Sequence, residues 1–408
     1  MRVCVVTIAG RGLGGMQDHT RDLARGLVAA GHDVELITTR HPDGIRSEER
    51  DGARWHFVDA PGRHTRAPLH HPGWLKGSLA LFRRLHEHHP FDVVHSESTS
   101  ALELVRRGEH RRVPLVVEYH GNFIGLTRAA WRRARQGRAR ERVREAKAFV
   151  WMCAMHLQRG ECLRFNACEW IVPSRQQFED TRRGEFLRRS RGHVVPNGID
   201  TDRFRPGDRA AARAELDLDE SPLLLSVGRL NREKGMDLAI RALASLGADG
   251  GARLVLVGSG EEEDSLRSLA AGSGVRDRAR FAGQEPPERV ATWMAAADVF
   301  LFPTLREEAA PLVLLQAMAC GVPVVASGIG GITEVIGPSG GNGILIPPGD
   351  EQALVAEVRA LLADPGARER IGTAARARIL AEYTLERMVE RTVNVYTVAI
   401  RRMTTERA

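Results

Sequence analysis

The chain has 408 residues, 43% of them hydrophobic and 27% charged, with a formal net charge of +7; this is globular make-up, too long for one core, and predicts two domains of about 200 residues each. Its five cysteines, Cys4, Cys153, Cys162, Cys168 and Cys320, are an odd number without Cys-x-x-Cys spacing, which speaks against a disulfide framework or a zinc site and for a reducing cytoplasm. No apolar run reaches the roughly 18 residues of a spanning helix, and residues 3–9 are too short for a signal-peptide core, so any membrane contact is expected to be peripheral.

Apolar β-branched runs alternate with amphipathic helical stretches, the βαβα pattern of a parallel sheet covered on both faces. Residues 3–9 read as the first strand. They lead into Gly10-Arg11-Gly12-Leu13-Gly14-Gly15, a glycine-rich turn before a helix that continues to residue 30. Glycines there let the backbone come close to a phosphate at the helix start. The same run loosely fits a dinucleotide fingerprint, but the acidic ribose partner expected about 20 residues further on is missing. Further strands are expected at residues 33–38, 92–95, 115–119, 170–172 and 193–195. His86-Glu87-His88-His89 closes a helical stretch before Pro90 and reads as a helix end rather than a metal set.

Arginines crowd two segments: Arg128, Arg132, Arg133, Arg135, Arg138, Arg140, Arg142 and Arg144 with Lys147, then Arg182, Arg183, Arg188, Arg189 and Arg191. They read either as a solvated helix or as a face for an anionic acceptor or phospholipid headgroups. Nucleic acid is not expected as a partner, because no helix-turn-helix, zinc-finger or aromatic stacking motif accompanies the charge. Phe149, Trp151, Met152 and Met155 beside the first run read either as packing over an acceptor cleft or as an amphipathic membrane contact.

After a bend at Pro206 the alternation repeats, with strands at residues 223–227, 254–257, 280–281, 299–302 and 322–326. Two Rossmann-like halves follow, with the boundary near residues 200–215. Ligands of open α/β sheets bind at the carboxyl ends of the strands. There, Arg229 and Lys234 leave a strand end with a spacing that lets both cations meet one diphosphate, Arg as a fork and Lys as a point charge; surface pairing with Glu233 is the ordinary alternative. Gly258 with Gly260, and Gly283 with Gln284, line a base pocket or make tight turns. Glu308 precedes Pro311, expected in the first turn of a helix whose leading N–H groups attract phosphate, and Gln316 lies inside that helix. A carboxylate there accepts sugar hydroxyls, and the amide both donates and accepts.

Taken together, Gly14-Gly15 with His19, Gly31-His32, Pro196-Asn197-Gly198-Ile199-Asp200, Gly228-Arg229 with Lys234-Gly235, the 308–327 segment, Gly330-Gly331-Ile332-Thr333-Glu334 and Glu386 to Arg391 resemble the retaining glycosyltransferases of family 4, glycosyl transferases group 1. The resemblance implies an α/β GT-B fold of two Rossmann-like domains facing each other across a cleft. Residues 1–205 would bind the acceptor, 206–385 the nucleotide-sugar, and a terminal helix, 386–408, would cross back to the first domain. It implies a hexose-type sugar moved from a nucleotide-sugar, UDP favoured over GDP, to a hydroxyl of a saccharide, lipid-linked or small-molecule acceptor.

It also implies residue roles. Gly14 and Gly15 would touch the donor diphosphate, and Arg229 and Lys234 would neutralise it as the sugar departs, with no metal and no cofactor. The N–H groups of Leu312 and Val313 would join the same cradle. Glu308 matches the first glutamate of an E-x7-E motif, on the transferred sugar, and His120 the histidine that reaches that sugar from the opposite domain. Gln284 is a further donor-side candidate. Retention would follow from front-face attack, the leaving phosphate taking the acceptor proton. One departure stands out: the second glutamate of the motif, on the ribose hydroxyls, is Gln316, which loses charge assistance worth about 1 to 2 kcal/mol. That motivates a second reading, a catalytically weak relative or partner subunit that keeps the fold. The expected place is the cytoplasm, with peripheral contact at the inner face of the membrane through the basic segments.

Overall fold

The protein is represented by a computed structural model that describes residues 1–8, 14–61, 70–120, 168–184, 191–247 and 251–407, together with 143, 146, 147 and 150. Gly10, Gly12, the arginines from Arg128 to Arg144, Arg188, Arg189, Phe149, Trp151, Met152 and Met155 lie outside the described residues. The chain divides into two compact units, Met1–Pro196 with Leu385–Ala408, and Asn197–Thr384.

The first unit holds β1 (Arg2–Val6), β2 (Asp33–Thr39), β3 (Ser47–Arg50), β4 (Ala53–Val58), β5 (Val93–Glu97), β6 (Leu115–Glu118), β7 (Cys168–Val172) and β8 (Gly192–Val194). They form one sheet in the order β3-β4-β2-β1-β5-β6-β7-β8, parallel throughout except for the antiparallel β3–β4 pair. Buried on both faces, β1 can be almost continuously apolar and β-branched rather than alternating, whereas β5, equally buried, begins with Val93 and Val94 and ends in the polar His95, Ser96 and Glu97. The helices are α1 (Gly15–Ala29), α2 (Pro72–His88), α3 (Leu102–Arg106) and α4 (Arg175–Gly184). On α1, Leu23, Ala24 and Leu27 recur at helical spacing and form the stripe that meets the sheet.

The second unit holds β9 (Leu223–Val227), β10 (Arg253–Val257), β11 (Ala279–Gly283), β12 (Val299–Phe302), β13 (Val324–Ser327) and β14 (Ile344–Ile346). The order is β11-β10-β9-β12-β13-β14, and every pair is parallel. Its helices are α5 (Arg209–Glu215), α6 (Met236–Ser245), α7 (Glu263–Gly272), α8 (Pro287–Ala296), α9 (Leu312–Ala319), α10 (Ile332–Ile336), α11 (Glu351–Ala363) and α12 (Pro365–Glu382). The segment ahead of α5 belongs to this unit for a physical reason. Ile199 and Phe204 are buried in its core, Asn197 Nδ2 donates to Ala310 O at 2.7 Å, and Ile199 N donates to Tyr383 O at 2.8 Å.

The last helix, α13 (Leu385–Arg407), returns to the first unit. Leu385, Met388, Val389 and Tyr396 share a buried core with Leu23 and Leu27 of α1. The approach requires Gly26, since a Cβ there would lie 2.5 Å from Val389 Cγ2. Chain order reverses between β1 and β5 in the first sheet and between β9 and β12 in the second. These are the topological switch points, where loops diverge and leave a crevice for ligands.

Three strands went unread in the sequence: β3, β4 and β14. The first two form a hairpin whose turn residues Asp51 and Gly52 both have positive φ, 55° and 76°, so the Asp-Gly dipeptide carried the signal. The His86 to His89 run ends α2 as expected, and His86 Nδ1 accepts from Phe91 N at 3.0 Å.

Candidate active site

In the second unit the loops after β9 and β12 are stitched together at the switch point. Asn231 caps a short 3-10 turn, Arg232–Lys234, by accepting from Lys234 N at 3.2 Å. The Glu233 carbonyl accepts from Leu305 N at 2.8 Å and from Thr304 Oγ1 at 3.0 Å. Gly235 follows with φ 67°, and a Cβ on it would sit 2.0 Å from Pro303 O, so only glycine lets the two loops meet. This geometry delivers Lys234 to Glu308: Nζ lies 2.7 Å from Oε1, with the side chains 14% and 10% exposed. Arg306 completes the group, its Nε 2.9 Å from Glu308 Oε1 and its Nη1 3.1 Å from Glu233 Oε2.

Burial disfavours a charged Glu308, but the Lys234 and Arg306 cations outweigh it and hold the carboxyl below its ordinary range. Arg306 is shifted upward in turn: burial opposes its charge, and Glu308 and Glu233 favour it. Behind Glu308, Gly330 at φ 63° would put a Cβ 2.6 Å from the Glu308 carbonyl oxygen, and Gly331 N donates to that oxygen at 2.7 Å. A lysine, an arginine and an ionised carboxylate are thus fixed at one strand end, able to meet a phosphate and a hydroxyl.

The other donor-side candidates lie on the loops after β9 and β11, on α9 and, in the first unit, at the start of α1. Arg229 leaves β9 exposed, with Glu261 at 3.7 Å; Lys234 pairs with Glu308 rather than with its neighbour Glu233. Pro311 is the N-cap of α9 rather than its first-turn residue, at φ −69° and ψ 120°. Its carbonyl accepts from Leu314 N and Leu315 N, which leaves the Leu312 and Val313 N–H groups at the open end of the helix. Gln316 is half-buried one turn inside α9, and Gln284 is exposed just past the edge strand β11. Gly258 approaches Gly228 so closely that a Cβ would lie 2.0 Å from the Gly228 carbonyl oxygen, so these glycines set the packing of adjacent loops. In the first unit, Gly14 and Gly15 stand exposed at the N-terminus of α1.

At the first unit's switch point the structure assembles a group that sequence reading only half named. The β5–β6 register sets Glu97 beside Glu118, and His120 follows two residues past Glu118. His120 Nε2 is hydrogen-bonded to Glu97 Oε2. His19, from α1, places Nε2 3.2 Å from Glu118 Oε1, with its ring edge-on to His120 at 4.5 Å between centroids. His95 Nε2 is 3.3 Å from Glu118 Oε2, and Tyr396 OH of α13 is 2.9 Å from His95 Nδ1.

Charge settles how this group survives burial. Burial alone would drive His19 down, yet the Glu118 carboxylate and, more weakly, Glu97 raise it to about 9. Burial would raise both glutamates, and the histidines hold them below the ordinary carboxylate value. Ligand atoms of His19, Glu97, Glu118 and His120 lie within 4.8 Å of one another, a spacing that could also enclose a cation. The missed signal was periodic: His95-x-Glu97 and Glu118-x-His120 put like-facing residues at the ends of neighbouring strands.

Two α/β units with polar loops gathered at their switch points define the GT-B class of nucleotide-dependent transferase. Comparison with known proteins gives the family. Residues 13–203 match the model of Glycosyltransferase Family 4 and residues 208–378 that of Glycosyl transferases group 1, and the chain belongs to this family: it is a glycosyltransferase. An uncharacterized glycosyltransferase of Methanocaldococcus jannaschii is 27% identical over 99% of this chain and 100% of its own. The D-inositol 3-phosphate glycosyltransferase of Acidothermus cellulolyticus is 39% identical over 51% of this chain, and the match spans about half of that relative, 48%. Among solved structures, HepE of Anabaena in complex with UDP-glucose superposes with a TM-score of 0.75 at 20% identity, covering 98% of this chain and 100% of its own. Among the described residues, no helix is long and apolar enough to cross a membrane.

Proposed function

We propose that the enzyme moves a hexose-type sugar from a nucleotide-sugar, a UDP-sugar ahead of a GDP-sugar, to a hydroxyl of a saccharide, lipid-linked or small-molecule acceptor, with retention and without a metal. The observation that carries the reading is the Lys234–Glu308 pair, 2.7 Å apart at the switch point of the second sheet. Glu308 is the sugar-side group, accepting hydroxyl hydrogens. Lys234, exposed Arg229 and the leading N–H groups of α9 at Leu312 and Val313 take the diphosphate. Their preorganised positive charge offsets what builds on the leaving group as the sugar departs, and the leaving phosphate oxygen takes the acceptor proton on the face it vacates. UDP is placed ahead of GDP with support from the UDP-glucose bound to HepE.

The second unit is the donor side in this reading, with Gln316 on the ribose and Gln284 near the base. The first unit is the acceptor side, with Gly14 and Gly15 toward the diphosphate and His120 toward the transferred sugar. The place of action is the cytoplasm, with peripheral contact at the membrane's inner face. Calorimetric titration with UDP and GDP, followed by a hydrolysis screen of nucleotide-sugars that needs no acceptor, tests the proposal. Saturable binding of one nucleotide and slow release of one sugar are expected. Binding of neither nucleotide would leave the catalytically weak relative as the better account of Gln316.

A further inference from the structure

Glu97 is fully buried, on the last position of β5, and the reaction as proposed gives it no task. We infer that Glu97 is the positioning residue for His120, holding the imidazole by its Nε2–H so that Nδ1 is the edge presented to substrate. The inference rests on the reading that His120 serves the transferred sugar.

The geometry on three sides supports it. Glu97 Oε2 is hydrogen-bonded to His120 Nε2, and an ionised carboxylate only accepts, so that nitrogen must carry the hydrogen. Whenever the ring carries one hydrogen, its lone pair is then on Nδ1. Ring rotation is blocked from a second side by His19, which meets His120 edge-on at an interplanar angle of 64°. Glu97 is itself surrounded, with His19 Nε2 at 4.0 Å and His95 Nε2 at 3.8 Å of its Oε1. His95 is braced in turn by Tyr396. Glu97 is 0% exposed while the His120 side chain remains 12% exposed, so the carboxylate faces inward and the ring has an open edge.

The arrangement does what second-layer carboxylates do for functional histidines: it selects a tautomer and fixes a ring. A glutamine at position 97 has nearly the same shape but donates as well as accepts, so either tautomer of His120 fits against it. The substitution separates tautomer control from packing.

The test uses the full chain labelled with 15N-histidine, the His120 signals being identified by their loss in His120→Asn. Followed across pH, the neutral form of His120 is expected to carry its hydrogen on Nε2 in wild type and to be a mixture of tautomers in Glu97→Gln. Nucleotide-sugar hydrolysis should fall at least about tenfold in kcat in Glu97→Gln, while the donor's Kd by calorimetry changes by less than about twofold, since the residue touches no donor group. Should Glu97→Gln fail to fold, Glu97→Asp, which still only accepts but has a shorter reach, is expected to lower kcat with the donor's Kd unchanged, and wild-type kcat in it would overturn the inference. Wild-type kcat and an unchanged tautomer in Glu97→Gln, with His120→Asn impaired, would overturn the inference alone. Wild-type turnover in His120→Asn would overturn the sugar-side role of His120 together with it. A stoichiometric metal in the purified protein would also overturn it, because an ion held by His19, Glu97, Glu118 and His120 would replace the hydrogen bond.

Discussion

Lys234 Nζ lies 2.7 Å from Glu308 Oε1 across two loops that leave neighbouring strands, β9 and β12. The lysine and the carboxylate offset each other's charge, with Arg306 as a third member. Under the proposed function, a diphosphate would compete for the lysine and a sugar hydroxyl for the carboxylate.

Arg306→Ala tests how much of that order depends on the third member. Glu308 keeps Lys234 but loses the guanidinium at 2.9 Å, and Glu233 loses its partner at 3.1 Å. Chemical denaturation should show a loss of about 1 to 2 kcal/mol, the scale of a part-buried charge-assisted bond. Nucleotide-sugar turnover should fall less than in Lys234→Ala.

Gly235→Ala is expected to destabilise the second unit and disturb the site together. The residue sits at φ 67° with a backbone oxygen 2.0 Å from where the methyl would be. Strain at such a position costs about 1 to 3 kcal/mol, and relieving it moves Lys234, the preceding residue. Thermal melting and KM for the donor should both worsen.

Gln316→Glu should tighten donor binding by about tenfold, equivalent to about 1.4 kcal/mol. Gln316 is half-buried inside α9. Calorimetry with the nucleotide alone reads the change. Unchanged affinity would mean that Gln316 does not face the ribose.

The buried charges make stability depend on pH in both directions. His19 is raised to about 9, above its ordinary 6.5, so its contribution is fully present below pH 6.5 and is lost as pH climbs through about 9. Glu97, Glu118 and Glu308 are shifted down, so their contribution is present above pH 4.5 and is lost as pH falls through their lowered values. Melting temperature should decline on the alkaline side between pH 7 and about 10. His19→Gln should flatten that decline relative to wild type, and an equal slope in both would contradict the assignment.

Much of this was legible in the chain because local and global signals agreed. Buried parallel strands announce themselves as unbroken apolar runs, as at Val3 to Val6 and Leu223 to Leu225, and the turns carrying Arg229, Lys234 and Glu308 follow such runs directly. The polar edge strand Ser47–Arg50 offers no such run. Arg306 and Glu97 were invisible for another reason. Their meaning lies in partners 73 and 23 residues away, Glu233 and His120, and only the strand order brings those into reach. Sequence spacing named the lysine and the carboxylate separately, but not that they touch.

The most direct measurement of the central claim is acceptor-free turnover of a nucleotide-sugar by wild type, Lys234→Ala and Arg229→Ala. Removing a preorganised cation from the leaving phosphate should lower kcat by about 10²-fold or more in Lys234→Ala, with a smaller loss for exposed Arg229, while both variants stay folded. Wild-type turnover in both variants would contradict the account.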